Sequence, residues 1–478
     1  MTSSTNPSRA LFYFLIALTL LRLAVAPNVG LGVDEAHYVL YGYFLDLSYF
    51  DHPPLVGWSE YLFTSLFGMN EFGARVPAII IGVITSLSMY QLLLHVTQDA
   101  KVALFGVIAL NSAFIFNALF LMLMPETLLF ALVIPIIFTV IAIEENNRLR
   151  DWLLLGFLLG LAGLAKYTAF LFVIAIIIYL VIKKRYDLFV SLKLLLAVAL
   201  SAVMITPVIV WNMQHDWISF AFQAGHVAGE NPIDWEDFAA SIGAQFGAYS
   251  PFLFPVAYYG LYRSLRSQNS LLFLSGIFAL VIIAFFTYAS LFNRALPHWS
   301  GLFYLLMIPL GSAFLYQKLS AWNRYIRYSV GFSFVISIIL YFELIFKFIP
   351  LPDYQSLHRD IYGFDTIMKE ANALVRHNEA IAVTNWSLAS RAIFYNLPYH
   401  SDIFLIDTRN DQFDIWQKES PLGRDLIFID THDFKSKVAT KMNCLHVREL
   451  KSIDIMLNDH KVNTIDYHLC TNFQGIKK

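Results

Sequence analysis

The chain has 478 residues, of which 58% are hydrophobic, 16% aromatic and only 14% charged, with a mean hydropathy of +0.58 and a net charge of -2. A water-soluble domain carries roughly 25% charged residues, so the composition excludes an ordinary soluble enzyme, and with no basic block there is no reason to expect nucleic acid as a partner. The deficit is local: residues 1–349 hold 18 Lys+Arg and 18 Asp+Glu, about 10%, whereas residues 350–478 hold 15 and 17, about 25%. The chain therefore reads as a mainly α polytopic membrane bundle over 1–349, followed by a soluble α/β domain over 350–478.

In chain order, apolar runs long enough to span a bilayer are expected at about 10–27, 74–94, 102–120, 127–143, 152–165, 168–182, 188–210, 246–262, 271–290, 299–316 and 328–348, eleven in all. The first is too long for a signal peptide and lacks a small-residue cleavage site, which makes it an uncleaved anchor. One alternate set of connections carries Arg9, Lys101, Arg148 with Arg150, Lys183 to Arg185, Arg263 with Arg266, and Lys318, Arg324 and Arg327. The opposite set is almost bare of Lys and Arg: its two long loops, 28–73 and 212–245, have none, and only Lys166 and Arg294 break the pattern. Positive charge stays on the cytoplasmic side of short loops, so the N-terminus is expected inside and residues 350–478 outside. Beyond the last span, the short apolar runs Ile381–Val383, Ile403–Ile406 and Leu426–Ile429 predict strands of a small α/β layer. The chain's two cysteines, Cys444 and Cys470, both fall there, on the expected oxidising side, and are equally open to being bridged or to being separate buried thiols. No Gly-rich nucleotide loop follows any of these strands, and the sequence carries no certain cofactor signal.

The first outer loop, 28–73, is acidic and aromatic. Over residues 33–47 the apolar positions 36, 39, 40, 43, 44 and 47 form one face of a helix, which is expected to lie in the membrane interface. Asp34, His37, Tyr38 and Tyr41 project from the other face and are expected to look toward water. A second amphipathic segment, 55–67, places Trp58, Leu62, Phe63 and Leu66 at helical spacing, with Pro53 and Pro54 fixing its start and holding His52 extended. Plain structural readings exist for these residues. Asp34 is equally a first-turn acid satisfied by helix-end N–H groups, Asp51 and His52 an acidic turn before two prolines, and most of the Tyr and Trp residues an interfacial belt.

The strings Asp34-Glu35-Ala36-His37-Tyr38, Tyr49-Phe50-Asp51-His52-Pro53-Pro54-Leu55 and Phe72-Gly73-Ala74-Arg75-Val76-Pro77-Ala78 resemble the first outer loop of the polyprenyl-phosphate-dependent glycosyltransferases. The likeness is to the bacterial branch related to protein O-mannosyltransferases and to the lipid A aminoarabinose transferase. Met124-Pro125-Glu126-Thr127, Gly163-Leu164-Ala165-Lys166-Tyr167-Thr168 and Pro297-His298-Trp299 are similar to further motifs of the group, in the same order, so the resemblance covers roughly residues 10–345. It implies the C-type membrane glycosyltransferase fold, which moves one sugar with inversion from a polyprenyl (undecaprenyl) phosphate carrier to a lipid A, glycan or protein acceptor at the outer face of a bacterial inner membrane. Asp34 matches the essential aspartate of that family.

An inverting transfer needs a base near the acceptor and cationic or hydrogen-bonding groups near the departing phosphate. Asp34 is expected to supply the first. Around the phosphate and substrate the expected residues are Glu35, His37, Asp51, His52, Arg75, Glu126, Lys166, Arg294 and His298. Each has a structural alternative: Arg75 anchors its span, Lys166 snorkels to the interface, Arg294 pairs with a loop carboxylate, and Glu126 caps the helix that starts after Pro125. The aminoarabinose transferases carry a basic residue three positions after the catalytic aspartate and a Glu-Lys pair before the two prolines. Here those places are His37 and Asp51-His52, which leaves the sugar and the acceptor open. A divalent metal on Asp51 with His215, His226 or His298 is a further, weaker expectation, because those ligands lack regular spacing. A transporter or flippase is the alternative class. It would place polar residues at mid-membrane in two similar halves, whereas this chain has no repeat and concentrates its acids in an outer loop.

Overall fold

The structure is a computed structural model and describes residues 6–227, 232–318, 320–351, 356–376, 378–431 and 437–477. In chain order the helices are α1 (Pro7–Val25), α2 (Val33–Tyr43), α3 (Leu55–Phe67), α4 (Glu71–Thr97), α5 (Ala100–Ser112), α6 (Phe114–Leu119), α7 (Pro125–Asn146), α8 (Leu149–Ala165), α9 (Phe170–Ile182), α10 (Leu192–Gln214), α11 (Ile218–Val227), α12 (Trp235–Ala248), α13 (Phe254–Leu265), α14 (Ser270–Ala289), α15 (Gly301–Tyr316) and α16 (Ala321–Phe346). Then come α17 (His358–Ile361), α18 (Phe364–Leu374), β1 (Glu379–Val383), α19 (Trp386–Asn396), β2 (Ile403–Leu405), α20 (Gln412–Trp416), β3 (Asp425–Thr431), α21 (Lys437–Lys441), β4 (His446–Leu457) and β5 (His460–Thr471). The chain falls into two compact units: Met1–Leu23, Asp46–Ser59 and Arg75–Ile339 form the first, and Ala24–Leu45, Glu60–Ala74 and Leu340–Lys478 the second.

Among the described residues seven helices are long and apolar enough to cross a membrane, not the eleven expected. They are Pro7–Asn28, Glu71–Thr97, Pro125–Asn146, Leu192–Gln214, Ser270–Ala289, Pro297–Tyr316 and Ala321–Phe346. The physical reasons for the difference are local. The expected span 102–120 breaks at Ala113, between α5 and α6, and α8 and α9 are shorter apolar helices. The expected span 246–262 is two helices: α12 stops at Ala248, Ser250 takes φ 70°, and α13 restarts at Phe254 with Pro255 in its first turn. Caps set other boundaries. Asp99 accepts from Lys101 N and Val102 N at the start of α5, and Asp234 from Glu236 N and Asp237 N at the start of α12.

Several of the basic loops meet one another in the first unit. Arg185 Nη1 donates to Glu144 O (2.6 Å), Lys193 Nζ to Asn147 O (2.6 Å) and Lys183 Nζ to Ser270 Oγ (2.9 Å). Lys318 lies over Tyr259, and Arg327 over Tyr316.

The second unit holds a five-stranded mixed sheet in the order β2-β1-β3-β5-β4, with β2, β1 and β3 parallel and the β3–β5 and β5–β4 pairs antiparallel. Strand alternation gives it two buried faces. Ala380, Ala382, Phe404, Leu426 and Phe428 pack with Val438, Met442 and Phe473 on one. On the other, Ile381, Val383, Ile427, Ile429, Ile465 and Tyr467 pack against α18, α19 and, from the far N-terminal end of the sequence, Leu31, Ala36, Val39 and Leu40. Cys444 and Cys470 are bridged, with Cα atoms 5.4 Å apart.

Candidate active site

In the first unit four of the expected residues come together. Lys166 closes α8, and Glu126 is the second residue of α7, which begins at Pro125. The Lys166 ammonium donates to Glu126 Oε1, and His298 Nε2 lies 3.7 Å from the same oxygen. Both Glu126 and Lys166 are buried, at 4% and 8% exposure, so Lys166 does not snorkel. Its charge stays inside the protein because the carboxylate compensates it. His52 is within electrostatic reach of both Glu126 and His298. The result is a buried acid and lysine with two half-buried histidines in one cluster.

The loop that brings His52 there is fastened at several points. Trp211 Nε1 donates to Asp46 Oδ2 (2.9 Å), and Trp58 Nε1 to Asp46 O (3.0 Å). Ser219 Oγ donates to Tyr49 O (2.9 Å) and Gln223 Nε2 to Asp51 O (2.7 Å), while Tyr49 N closes the turn on His52 O (3.2 Å). Tyr167, next to Lys166, sits among Ser48, Asn212 and Ser219 and within reach of the Asp51 charge.

From Tyr167 a groove of about 560 Å³ runs between α8, α9 and α10, past Gly163, Val208 and Ile177, to Trp152, Leu188 and Phe189. Its lining is almost wholly apolar, as an isoprenoid or acyl chain requires.

Sequence reasoning missed a second layer on this cluster. Ser300 Oγ and Tyr304 OH both donate to Gln245 Oε1 (3.0 Å each), Tyr249 OH donates to Pro297 O (2.9 Å), and Tyr249 stacks on Tyr304 with centroids 3.7 Å apart. Tyr249 is within electrostatic reach of Glu126. The available signal was Gln245 beside an apolar run, since a buried amide inside a membrane bundle requires a partner. Arg22, inside the first span, is likewise buried: Nη2 donates to Asn111 Oδ1 (3.1 Å), and Asn111 Nδ2 in turn donates to Ser86 Oγ (3.0 Å).

The two other expected cations differ in burial. Arg75 is fully buried in α4, and Arg294 is exposed. Asp51 forms no metal site: among the described residues no group of three His, Cys, Asp or Glu side chains is placed to hold an ion. His215 instead stacks on Trp211, with centroids 3.9 Å apart, and the His226 side chain lies outside the described residues.

The remaining expected residues lie in the second unit, on α2. Asp34 and Glu35 occupy its first turn, where the helix dipole favours acids. Glu35 Oε2 accepts from Gly32 N (3.0 Å) and is buried, which gives it a capping role. Asp34 is partly exposed. Of the apolar face expected at the interface, Tyr43, Phe44 and Leu47 are exposed, but its first half is not. Ala36, Val39 and Leu40 pack into the protein core rather than lipid, and His37, Tyr38 and Tyr41 are buried rather than facing water. His37 Nδ1 lies 3.2 Å from Ser390 Oγ, and its ring is surrounded by Tyr41, Trp386, Phe413 and Trp416. Over residues 35–42 both helix faces are covered by protein, a circumstance a helical wheel does not report. On α3, by contrast, Leu62 and Leu66 are exposed, as an interfacial helix requires.

The chain resembles known proteins in sequence and in fold. Residues 51–211 match the dolichyl-phosphate-mannose-protein mannosyltransferase family profile. The lipid A galacturonosyltransferase RgtD of Rhizobium johnstonii is 25% identical over 392 residues, covering 76% of this chain and 77% of its own. The crystal structure of ArnT from Cupriavidus metallidurans bound to undecaprenyl phosphate superposes with a TM-score of 0.64 at 13% identity, covering 98% of both chains, and its apo form with 0.62 at 14% identity, covering 97% of this chain and 98% of its own. The chain thus shares the fold of ArnT and is similar in sequence to the mannosyltransferase profile and to RgtD. It is a multi-pass membrane protein with the C-type fold.

Proposed function

We propose that this glycosyltransferase moves one sugar, with inversion, from undecaprenyl phosphate to lipid A at the outer face of a bacterial inner membrane. The observation that carries the proposal is the Lys166–Glu126–His298 cluster, with His52 within electrostatic reach, together with an apolar groove lined at one end by Tyr167, the neighbour of Lys166. A donor of this kind is an anionic head on an isoprenoid tail, and the two features match its two ends. The naming of lipid A in the RgtD relative, and of undecaprenyl phosphate in the ArnT structure, supports that choice of acceptor and carrier. The bias of Lys and Arg to one set of loops supports a cytoplasmic N-terminus, with residues 350–478 as an exported domain.

In this reading Asp34 accepts a hydrogen bond from the acceptor hydroxyl and takes its proton late, as the new C1–O bond forms and the C1–O(phosphate) bond breaks. A carboxylate with a pKa near ~4 is a weak base, but it stays ionised at neutral pH and orients the nucleophile. Lys166, aimed by Glu126, and the histidines His52 and His298 stabilise the charge that gathers on the departing undecaprenyl phosphate. Arg75 and Arg294 contribute to the field on substrate phosphates, and Asp51 holds the turn that carries His52.

The test is transfer by purified protein in lipid nanodiscs, supplied with lipid A and with either a radiolabelled polyprenyl-phosphate sugar or the same sugar on a nucleotide. Label is expected in lipid A only from the polyprenyl donor, with accumulation of free polyprenyl phosphate. Transfer from the nucleotide donor alone would overturn the reading.

A further inference from the structure

The segment that delivers Asp34 is held by side chains more than 300 residues away in sequence. Tyr362 OH donates to Asn28 O (2.8 Å). Leu31 N donates to Tyr395 OH (3.0 Å), and the same hydroxyl donates to Glu71 Oε1 (2.8 Å). Between these two ties lies Gly30, where a Cβ would stand 1.9 Å from Ile361 O, so only glycine permits the approach. The backbone beside Ile361 is fixed in turn by Arg391, whose Nη1 donates to Asp360 O and whose guanidinium lies over Phe364. Leu31 is fully buried in the core that α18, α19 and the sheet share with α2. Asp34 follows Leu31 by three residues, with Glu35 capping Gly32 N between them. All of these contacts lie within the second unit.

We propose that Tyr395 is a positioning residue for sugar transfer, and that the C-terminal domain serves the reaction by setting the angle at which Asp34 enters α2. This rests on the assignment of Asp34 as the group that orients the acceptor. Tyr395 is suited to the task because its hydroxyl is polarised. Donating to the Glu71 carboxylate raises the electron density on the phenolic oxygen, which strengthens its acceptance of the Leu31 N–H. Removing that one oxygen releases the Leu31 N–H and the Glu71 carboxylate together while leaving the ring in its place beside Phe364 and Phe394. A displacement of the acceptor-orienting carboxylate by about 1 Å costs on the order of 10²-fold in rate.

The experiment compares full-length Y395F, E71A, E71Q and D34N with wild type in the transfer assay, with Y399F as a control, since Tyr399 is exposed beyond the end of α19. Y395F is expected to lower kcat by about 10- to 100-fold, with KM for the polyprenyl donor within about twofold and the thermal midpoint little changed. E71A, which reaches the same hydroxyl from its other side, is expected to lower kcat in the same sense. E71Q keeps a carbonyl acceptor for Tyr395 and is expected to restore most of the loss, and Y395F/E71A is expected to be no slower than Y395F. A Y395F enzyme with wild-type kcat, or one whose loss matches its folded fraction, overturns the proposal. Should D34N be inactive while Y395F is normal, the positioning role fails and Asp34 stands; should D34N remain active, both fail.

Discussion

Placing Lys166 and Glu126 inside a membrane bundle removes two charges from water, a cost repaid only while the two face each other. Lys166→Met would leave Glu126 as a buried carboxylate whose main counter-charge is gone, and is expected to destabilise the protein by about 3–5 kcal/mol. The neutral pair Lys166→Met with Glu126→Gln is expected to regain most of that stability but not the transfer activity. Thermal unfolding and transfer rates measured on the same detergent preparations check both halves. If the double variant regains activity with its stability, the pair is structural only. Lys166 was legible in the sequence because basic residues are so scarce in the expected outer loops that one at a span end stands out. Glu126 and His298 were legible only through motif order. The Gln245–Ser300–Tyr304 layer was not, since neutral polar residues in apolar runs carry no charge to flag them.

At the scale of elements, α2 shows what periodicity does and does not convey. The sequence marked it as a helix with an apolar and an aromatic-polar face, and the helix is present. Which face meets what was not legible, because the covering surfaces, Trp386, Phe413 and Trp416 among them, lie some 350 residues away. The three predicted strands are β1, β2 and β3, short and apolar, with β1 and β3 mostly buried, whereas the β4–β5 hairpin escaped notice because β4 is mostly polar and exposed. Gly30→Ala is the matching prediction for the entry to α2. Its methyl group cannot share space with Ile361 O, so the variant is expected to lose both thermal stability and transfer. Unfolding temperature and transfer rate indistinguishable from wild type would show that the approach of these two strands of chain is loose.

For the molecule as a whole, stability against pH depends on a group in the C-terminal α/β domain. Asp411 caps α20 by accepting from Phe413 N (2.9 Å), and burial, reinforced by the Asp407 and Asp414 charges, raises its pKa from 3.8 to about 6. The folded state holds this proton more tightly than the unfolded chain. Asp411 therefore favours folding at pH 4, and that contribution is lost as pH rises through about 6. Asn caps a helix as well as Asp, so Asp411→Asn is expected to raise the thermal midpoint above wild type at pH 7 to 8, with the difference closing at pH 4. A gap that widens toward pH 4 would reverse the sign and refute the assignment.

Composition alone separates a charge-poor part from a part of ordinary charge near residue 350, while the capture of 24–45 and 60–74 by the second unit was not legible, because it depends on contacts between distant parts of the chain. In the proposed mechanism Asp34, at the head of α2, orients the acceptor, and the most direct measurement is the rate of sugar transfer from polyprenyl phosphate to lipid A by Asp34→Asn, in protein shown to unfold at the wild-type temperature. The predicted result is a loss of about 10²- to 10⁴-fold in kcat with donor binding retained; transfer at the wild-type rate would contradict it.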